Sequence, residues 1–328
     1  MNSRERLRRA LSHVEPDRVP MFDSVWQATI NRWRREGLPT DVFVEDFFGY
    51  DMCGFSADTS PLFPVQVLSE DAEYVVERDS FGGVRRNHKD RSTTPEIIDY
   101  RCKSREDWER IKPRLQPNDS RVIDSEASSR EGKNVQGSWD VELERFEKER
   151  DSGRFITYNA AVGYDKIQNY VASPRLLRAI ILEPEWVKDM YLTDANLVMA
   201  MCDHMMDKGF RFDGAYLFCD LAYRKGLFFS PRHYREQLHP IFKMLCRYFK
   251  EKNMPVILHS CGRVKELIPD LIEAGFSCLQ PLEVKAGMDV RDLKGEYADK
   301  LAFMGGIDVR LMSMDNPRPI EEEIESKF

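Results

Sequence analysis

The sequence predicts an α/β protein, a (β/α)8 TIM-type barrel lacking its last strand and helix in this chain, and three observations carry that prediction. From residue 155 onward, short apolar runs alternate with long amphipathic segments, the pattern of a βα repeat. Pro255-Val256-Ile257-Leu258-His259-Ser260 is almost continuously apolar, as a parallel strand buried on both faces should be. The length of 328 residues suits one barrel of about 250 residues with insertions, so residues 1–328 are read as a single domain. An open, doubly wound sheet of seven strands stays as the alternative at this stage.

The elements follow in order. Ser3 to Ser12 reads as a short amphipathic helix with Ser3 as N-cap and Leu7, Ala10 and Leu11 on one face. Arg18-Val19-Pro20-Met21-Phe22 is the first expected strand, and Trp26 to Glu36, with Ile30 and Trp33 at helical spacing, is its helix. Asp51 to Asp58 is the second strand, and Glu73 to Arg78 with Gly82-Gly83-Val84 reads as a hairpin. Residues 101–152 are polar and are expected to form a surface insertion without chemistry, holding one exposed helix from Trp139 to Glu149. Phe155 to Tyr158 and Gly214 to Phe218 are strands flanking helices Pro174 to Leu182 and Pro184 to Met206. Ser230-Pro231 opens the next helix, to about Lys252, by placing a hydroxyl N-cap before a proline at the first helical position. After the strand at 257 come helix Ile268 to Ala274, strand Cys278 to Leu282, helix Asp289 to Tyr297, strand Leu301 to Gly305 and a helix from Ile320. Strands thus centre near residues 19, 53, 156, 215, 257, 280 and 303, and the chain is expected to be a fragment ending at Phe328 where the eighth would start.

Charge and composition narrow the function. Lys+Arg 49 against Asp+Glu 56 leaves a net charge of −7, so there is no cationic excess to displace counterions from a nucleic acid. The four arginines within Met1 to Ala10 interrupt any leader-like apolar stretch, and no run of 18 apolar residues occurs, so a cytoplasmic protein with a small-molecule substrate and no membrane partner is expected. Seven scattered cysteines without C-x-x-C spacing argue against a disulfide framework or a four-cysteine zinc finger.

The strongest chemical signal is His259-Ser260-Cys261-Gly262. Alternation along a strand sends His259 and Cys261 to the same face, within joint reach of one ion, and Gly262 lets the chain turn at the end where barrels keep their active sites. Imidazole and thiolate are a natural pair for zinc, although a small buried cysteine and a satisfied core histidine explain the same letters. Carboxylates at neighbouring strand ends offer further ligands or acid/base groups: Asp58, Asp220, Glu283 and Asp308. Each alone also reads as a helix N-cap. The other histidines, His13, His88, His204, His233 and His239, are expected at the surface or in caps. The absence of P-loop, G-x-G-x-x-G, G-x-S-x-G and H-E-x-x-H motifs removes the usual support for nucleotide, serine-hydrolase and zincin chemistry.

Glu15-Pro16-Asp17-Arg18-Val19-Pro20, Ser230-Pro231, His259-Ser260-Cys261-Gly262 with Ile268-Pro269-Asp270-Leu271-Ile272-Glu273-Ala274-Gly275, and Gly305-Gly306-Ile307-Asp308-Val309 together resemble the uroporphyrinogen decarboxylase superfamily. The resemblance implies a (β/α)8 barrel and one of two chemistries. Decarboxylases of the family hold an acidic porphyrinogen with arginines after the first strand, where this chain reads Phe22-Asp23-Ser24-Val25-Trp26-Gln27, with none. Their catalytic aspartate would correspond to Asp58. Corrinoid-linked methyltransferases of the family bind zinc through His-x-Cys and a later cysteine; His259 and Cys261 match the first two ligands, with Glu283 or Asp308 as completing candidates. The expectation is therefore a zinc-dependent methyltransferase moving a methyl group between a corrinoid protein and a thiol or other small acceptor. His259, Cys261 and Glu283 would be its metal ligands, and Asp58, Asp220 and Asp308 its acid/base or positioning groups. The alternatives are a decarboxylase of a carboxylated, porphyrin-type substrate and a non-catalytic corrinoid-protein docking module.

Overall fold

The computed structural model of the chain describes residues 1–90, 93–131 and 134–327. Phe328 and parts of the expected insertion therefore lie outside the described residues. Six strands form the central sheet: β1 (Met52–Phe55), β2 (Phe155–Ala161), β3 (Gly214–Phe218), β4 (Val256–His259), β5 (Cys278–Gln280) and β6 (Ala302–Phe303). They lie side by side in chain order and every pairing is parallel, an α/β partial TIM-type barrel as the sequence predicts.

Period-two alternation divides the strand side chains between two apolar clusters. Met52, Phe155, Tyr216, Ile257 and Cys278 share the inner cluster with Phe22, Phe218, Ala302 and Met304. Cys53, Phe55, Ile156, Tyr158, Ala215, Leu217, Val256, Leu258 and Leu279 face the helical layer instead. Helix Ser3–Leu11 closes the inner cluster from one end with Leu7 and Leu11. Its cap is Asn2, whose Oδ1 accepts the Glu5 amide at 2.8 Å, and not Ser3; the Ser3 hydroxyl is drawn to Asp51 Oδ1 at 2.6 Å.

Four further expectations need correction. The first strand, at Arg18 to Phe22, does not form: Pro16 and Pro20 have no N–H to give a ladder, and the Arg18 guanidinium turns to Asp51 at 2.7 Å. The backbone of Met21 also meets the residue before β1, its carbonyl accepting the Asp51 amide at 2.8 Å. The hairpin is the centre of a four-stranded antiparallel sheet, Gln66–Glu70, Tyr74–Arg78, Val84–His88 and Glu96–Asp99. The 101–152 block is no mere surface insertion, because it buries Trp108, Phe146 and Arg121. Arg121 donates to the carbonyls of Asp58 (2.6 Å) and Ser60 (2.7 Å), tying the block to the loop after β1. Finally, His239 is buried beside Glu273 rather than exposed.

The remaining helices arise where expected, including Ser173–Leu182, Pro184–Asp207 and His239–Glu251. The Ser230 hydroxyl accepts the His233 amide at 3.3 Å, and the turn Pro231–His233 passes through a π segment, Tyr234–Leu238, into the last of these. All seven cysteines are free. No helix among the described residues is long and apolar enough to cross a membrane.

Candidate metal centre at the mouth of the barrel

The inward-facing positions of the strands continue past their C-terminal ends, and there the polar residues collect. His259 ends β4, and the ladder extends beyond the strands: Cys219 donates its amide to His259 O (2.9 Å) and Ser260 to Gln280 O (2.8 Å). The Ser260 side chain, on the opposite face, accepts the Leu221 amide at 3.1 Å. These bonds fix the segment 219–221 against 259–261, bringing Asp220 beside His259 and Cys261.

Among the described residues, Asp220, His259 and Cys261 are the group whose ligand-type atoms all lie within 4.8 Å of one another. His259 Nε2 is 3.6 Å from Cys261 Sγ and 3.7 Å from Asp220 Oδ1. Zinc bond lengths to N, S and O at a tetrahedral angle require ligand atoms about 3.4–3.6 Å apart, so both distances from His259 Nε2 suit zinc with little movement. Asp220 Oδ1 also accepts the Cys261 amide at 2.6 Å, which holds the carboxylate in place. Burial, then the carboxylates of Asp220 and Glu283, push the Cys261 thiol up to about 12 against the pull of Lys285. Such a surplus of negative charge around a thiol suits a site completed by a cation, which would favour the thiolate. All three side chains are half-buried, leaving the trio open toward solvent on one side.

Glycine at 262 is demanded by the site. Its φ is +81°, and a Cβ there would stand 2.6 Å from Ala222 C, 2.7 Å from Ala222 O and 2.8 Å from Tyr223 O. The turn after Cys261 can therefore press against the hairpin Ala222–Leu227 only without a side chain.

The other candidates fall elsewhere. Glu283, expected as a ligand, stands next to the trio but spends its oxygens on the Gly262 amide (2.6 Å) and Lys285 Nζ (3.0 Å). Asp308 pairs with Arg310 and lies outside the trio. Asp58 is buried, capping the Ser60 amide at 2.7 Å with its backbone bound to Arg121, and also lies outside. Asp220, read as an acid/base or positioning group, is the carboxylate that joins His259 and Cys261.

Two contributors escaped the sequence reading. Gln280 Oε1 lies 2.5 Å from His259 Nδ1 and accepts the Tyr216 hydroxyl at 2.7 Å. Asp165, at the start of helix Gly163–Val171, accepts the Asp220 amide at 2.6 Å; burial and then Asp220 raise its carboxyl to about 7. Gln280 was detectable, since it shares the face of Cys278 at a strand end. Nothing in the sequence tied Asp165 to Asp220. Phe218 completes one wall, its ring centroid 5.2 Å from that of His259.

Residues 173–327 match the uroporphyrinogen decarboxylase (URO-D) family, and they contain every residue of the trio. No curated protein matches the chain in sequence. Among solved structures, a methyltransferase from Methanosarcina mazei shares the fold with a TM-score of 0.63 at 13% identity, the match covering 100% of this chain and 88% of that one. The superfamily resemblance carried by Ser230-Pro231, His259 to Gly262 and Gly305 to Val309 is borne out.

Proposed function

Taking residues 173–327 as a URO-D family segment on a barrel of this fold, we propose that the chain is a zinc-dependent methyltransferase. It moves a methyl group between a corrinoid protein and a thiol or other small acceptor. The observation that carries this reading is the convergence of His259 Nε2, Cys261 Sγ and an Asp220 oxygen at the open mouth of the barrel, at zinc-compatible separations. His259, Cys261 and Asp220 would hold the metal. Bound there, zinc would lower the pKa of an acceptor thiol so that a strong sulfur nucleophile exists at neutral pH.

The chain's own residues supply the rest. Tyr216 and Phe218 form an aromatic wall beside His259, restricting water on that side. Asp165 holds the Asp220 backbone, and Asp220 in turn holds the Cys261 backbone, so the ligand loops are braced before any substrate arrives. The decarboxylase alternative has less to stand on, since the Asp58 carboxylate is engaged in its own buried loop.

The test is zinc stoichiometry by elemental analysis, followed by turnover of methylcobalamin with small thiols, for wild type and a His259→Ala, Cys261→Ala double variant. About one zinc per chain, lost in the variant together with orders of magnitude of thiol methylation, is the expected result. A zinc-free wild type, or a variant that methylates thiols at the wild-type rate, would overturn the proposal.

A further inference from the structure

The geometry points to Gln280 as the residue that decides which nitrogen of His259 carries its proton, and to Tyr216 as the residue that decides which way Gln280 faces. His259 has two ring nitrogens with different surroundings. Nδ1 meets Gln280 Oε1 at 2.5 Å, and Nε2 meets Cys261 Sγ at 3.6 Å. A side-chain amide oxygen is an acceptor only, so the short contact requires Nδ1–H to donate. In the tautomer that carries its proton on Nδ1 the lone pair lies on Nε2, 3.6 Å from Cys261 Sγ. Asp220 Oδ1, 3.7 Å from Nε2, receives the Cys261 amide.

Gln280 is itself oriented. The same Oε1 accepts the Tyr216 hydroxyl at 2.7 Å, so one oxygen collects two donors from neighbouring strands. The register explains how: Gln280 is the Cα partner of His259, which is the partner of Phe218, and Tyr216 lies two residues back on the same inner face. The network runs from the Tyr216 hydroxyl through Gln280 to His259 and ends in a lone pair aimed at the trio. A histidine ligand whose far nitrogen donates to an oxygen is thereby set for metal through the near one. Gln280 is in this sense a positioning residue.

The tautomer half of this inference stands independently of zinc; the metal half rests on the proposed function. Selective ¹⁵N-histidine labelling of the metal-free protein, with the His259 resonances assigned from a His259→Gln variant, reads the proton position directly. Wild type is expected in the Nδ1–H form. Gln280→Met, close in shape but without an acceptor, should move the proton to Nε2, and Gln280→Glu, which keeps an acceptor, should retain it on Nδ1. Tyr216→Phe, which leaves the Gln280 amide free to turn round, should give a mixture and serves if Gln280→Met fails to fold.

Zinc affinity, measured by competition with a chelating dye, should fall about 10–100-fold in Gln280→Met and stay near wild type in Gln280→Glu. A wild-type His259 protonated on Nε2, or an unchanged Nδ1–H signal in Gln280→Met, overturns the inference. The expected tautomers with no zinc bound by wild type would leave Gln280 its role and remove the proposed function instead.

Discussion

Replacing Gly262 by alanine is the sharpest test of how the site is built. At φ +81° an L-residue pays about 1–2 kcal/mol for the left-handed region. The added Cβ would also sit 2.6–2.8 Å from Ala222 C, Ala222 O and Tyr223 O, all of them backbone, so no flexible side chain can yield. The hairpin Ala222–Leu227 must retreat, weakening the 3.1 Å bond from the Arg263 amide to Tyr223 O, which contributes about 0.5–1.5 kcal/mol. Together these effects amount to about 3 kcal/mol, or a melting temperature about 4 °C lower for a chain of 328 residues. The same displacement moves Cys261 away from His259 Nε2 and the Gly262 amide away from Glu283, so zinc affinity should fall by at least about tenfold. Thermal denaturation and chelator competition on the purified variant measure both. A variant that melts within about 1 °C of wild type and binds zinc equally well would show that the turn tolerates a side chain at 262.

Three further outcomes are expected. Trp108→Ala should destabilise by about 3–5 kcal/mol in a denaturant titration, since the ring is fully buried against Tyr170 and bonded to Asp189 at 2.8 Å; a near-neutral result would return the 101–152 block to the surface. Asp51→Asn removes a buried charge serving Ser3, Arg6, Arg18 and the Met21 amide, at about 3 kcal/mol because Arg6 retains Asp17. Burial pushes the Asp51 carboxyl up, but the bonds from Arg18, Ser3, Met21 and Arg6 outweigh it and hold it below its usual value. Its stabilisation is therefore present above about pH 4 and lost on acidification through the depressed value, and the variant should show a shallower acid melt. Asp194 runs the other way: it is fully buried, neither carboxyl oxygen has a hydrogen-bond partner among the described residues, and burial raises it to about 7 despite Lys166. The folded state then binds a proton that the unfolded state releases, so stability declines as pH rises from about 4 to 7, and Asp194→Asn should remove that part of the slope. Melting curves between those limits, parallel in both proteins, would contradict it.

Much of the fold was legible because it rests on local alternation. The expected strands near 53, 156, 215, 257, 280 and 303 all form, their residues dividing between inner and outer clusters as period two dictates. The expected strand at residue 19 failed because an apolar run satisfies the pattern without supplying ladder donors, and Pro16 and Pro20 supply none. The core role of Trp108 and Phe146 was hidden in a polar stretch, where composition averages away single buried rings.

That His259 and Cys261 share a face follows from the chain order alone, because two residues along one extended segment are related by covalent geometry. It also placed Asp58, Asp220, Glu283 and Asp308 after strand ends, with no means of ranking them. Only the tertiary structure chose Asp220 as the third member, bracing it through Asp165 and the Cys261 amide, and set Gln280 against Nδ1 of His259. Which groups meet across strands depends on register and on the course of each loop, and those are decided by contacts between residues far apart in the chain, 64 positions in the case of Tyr216 and Gln280.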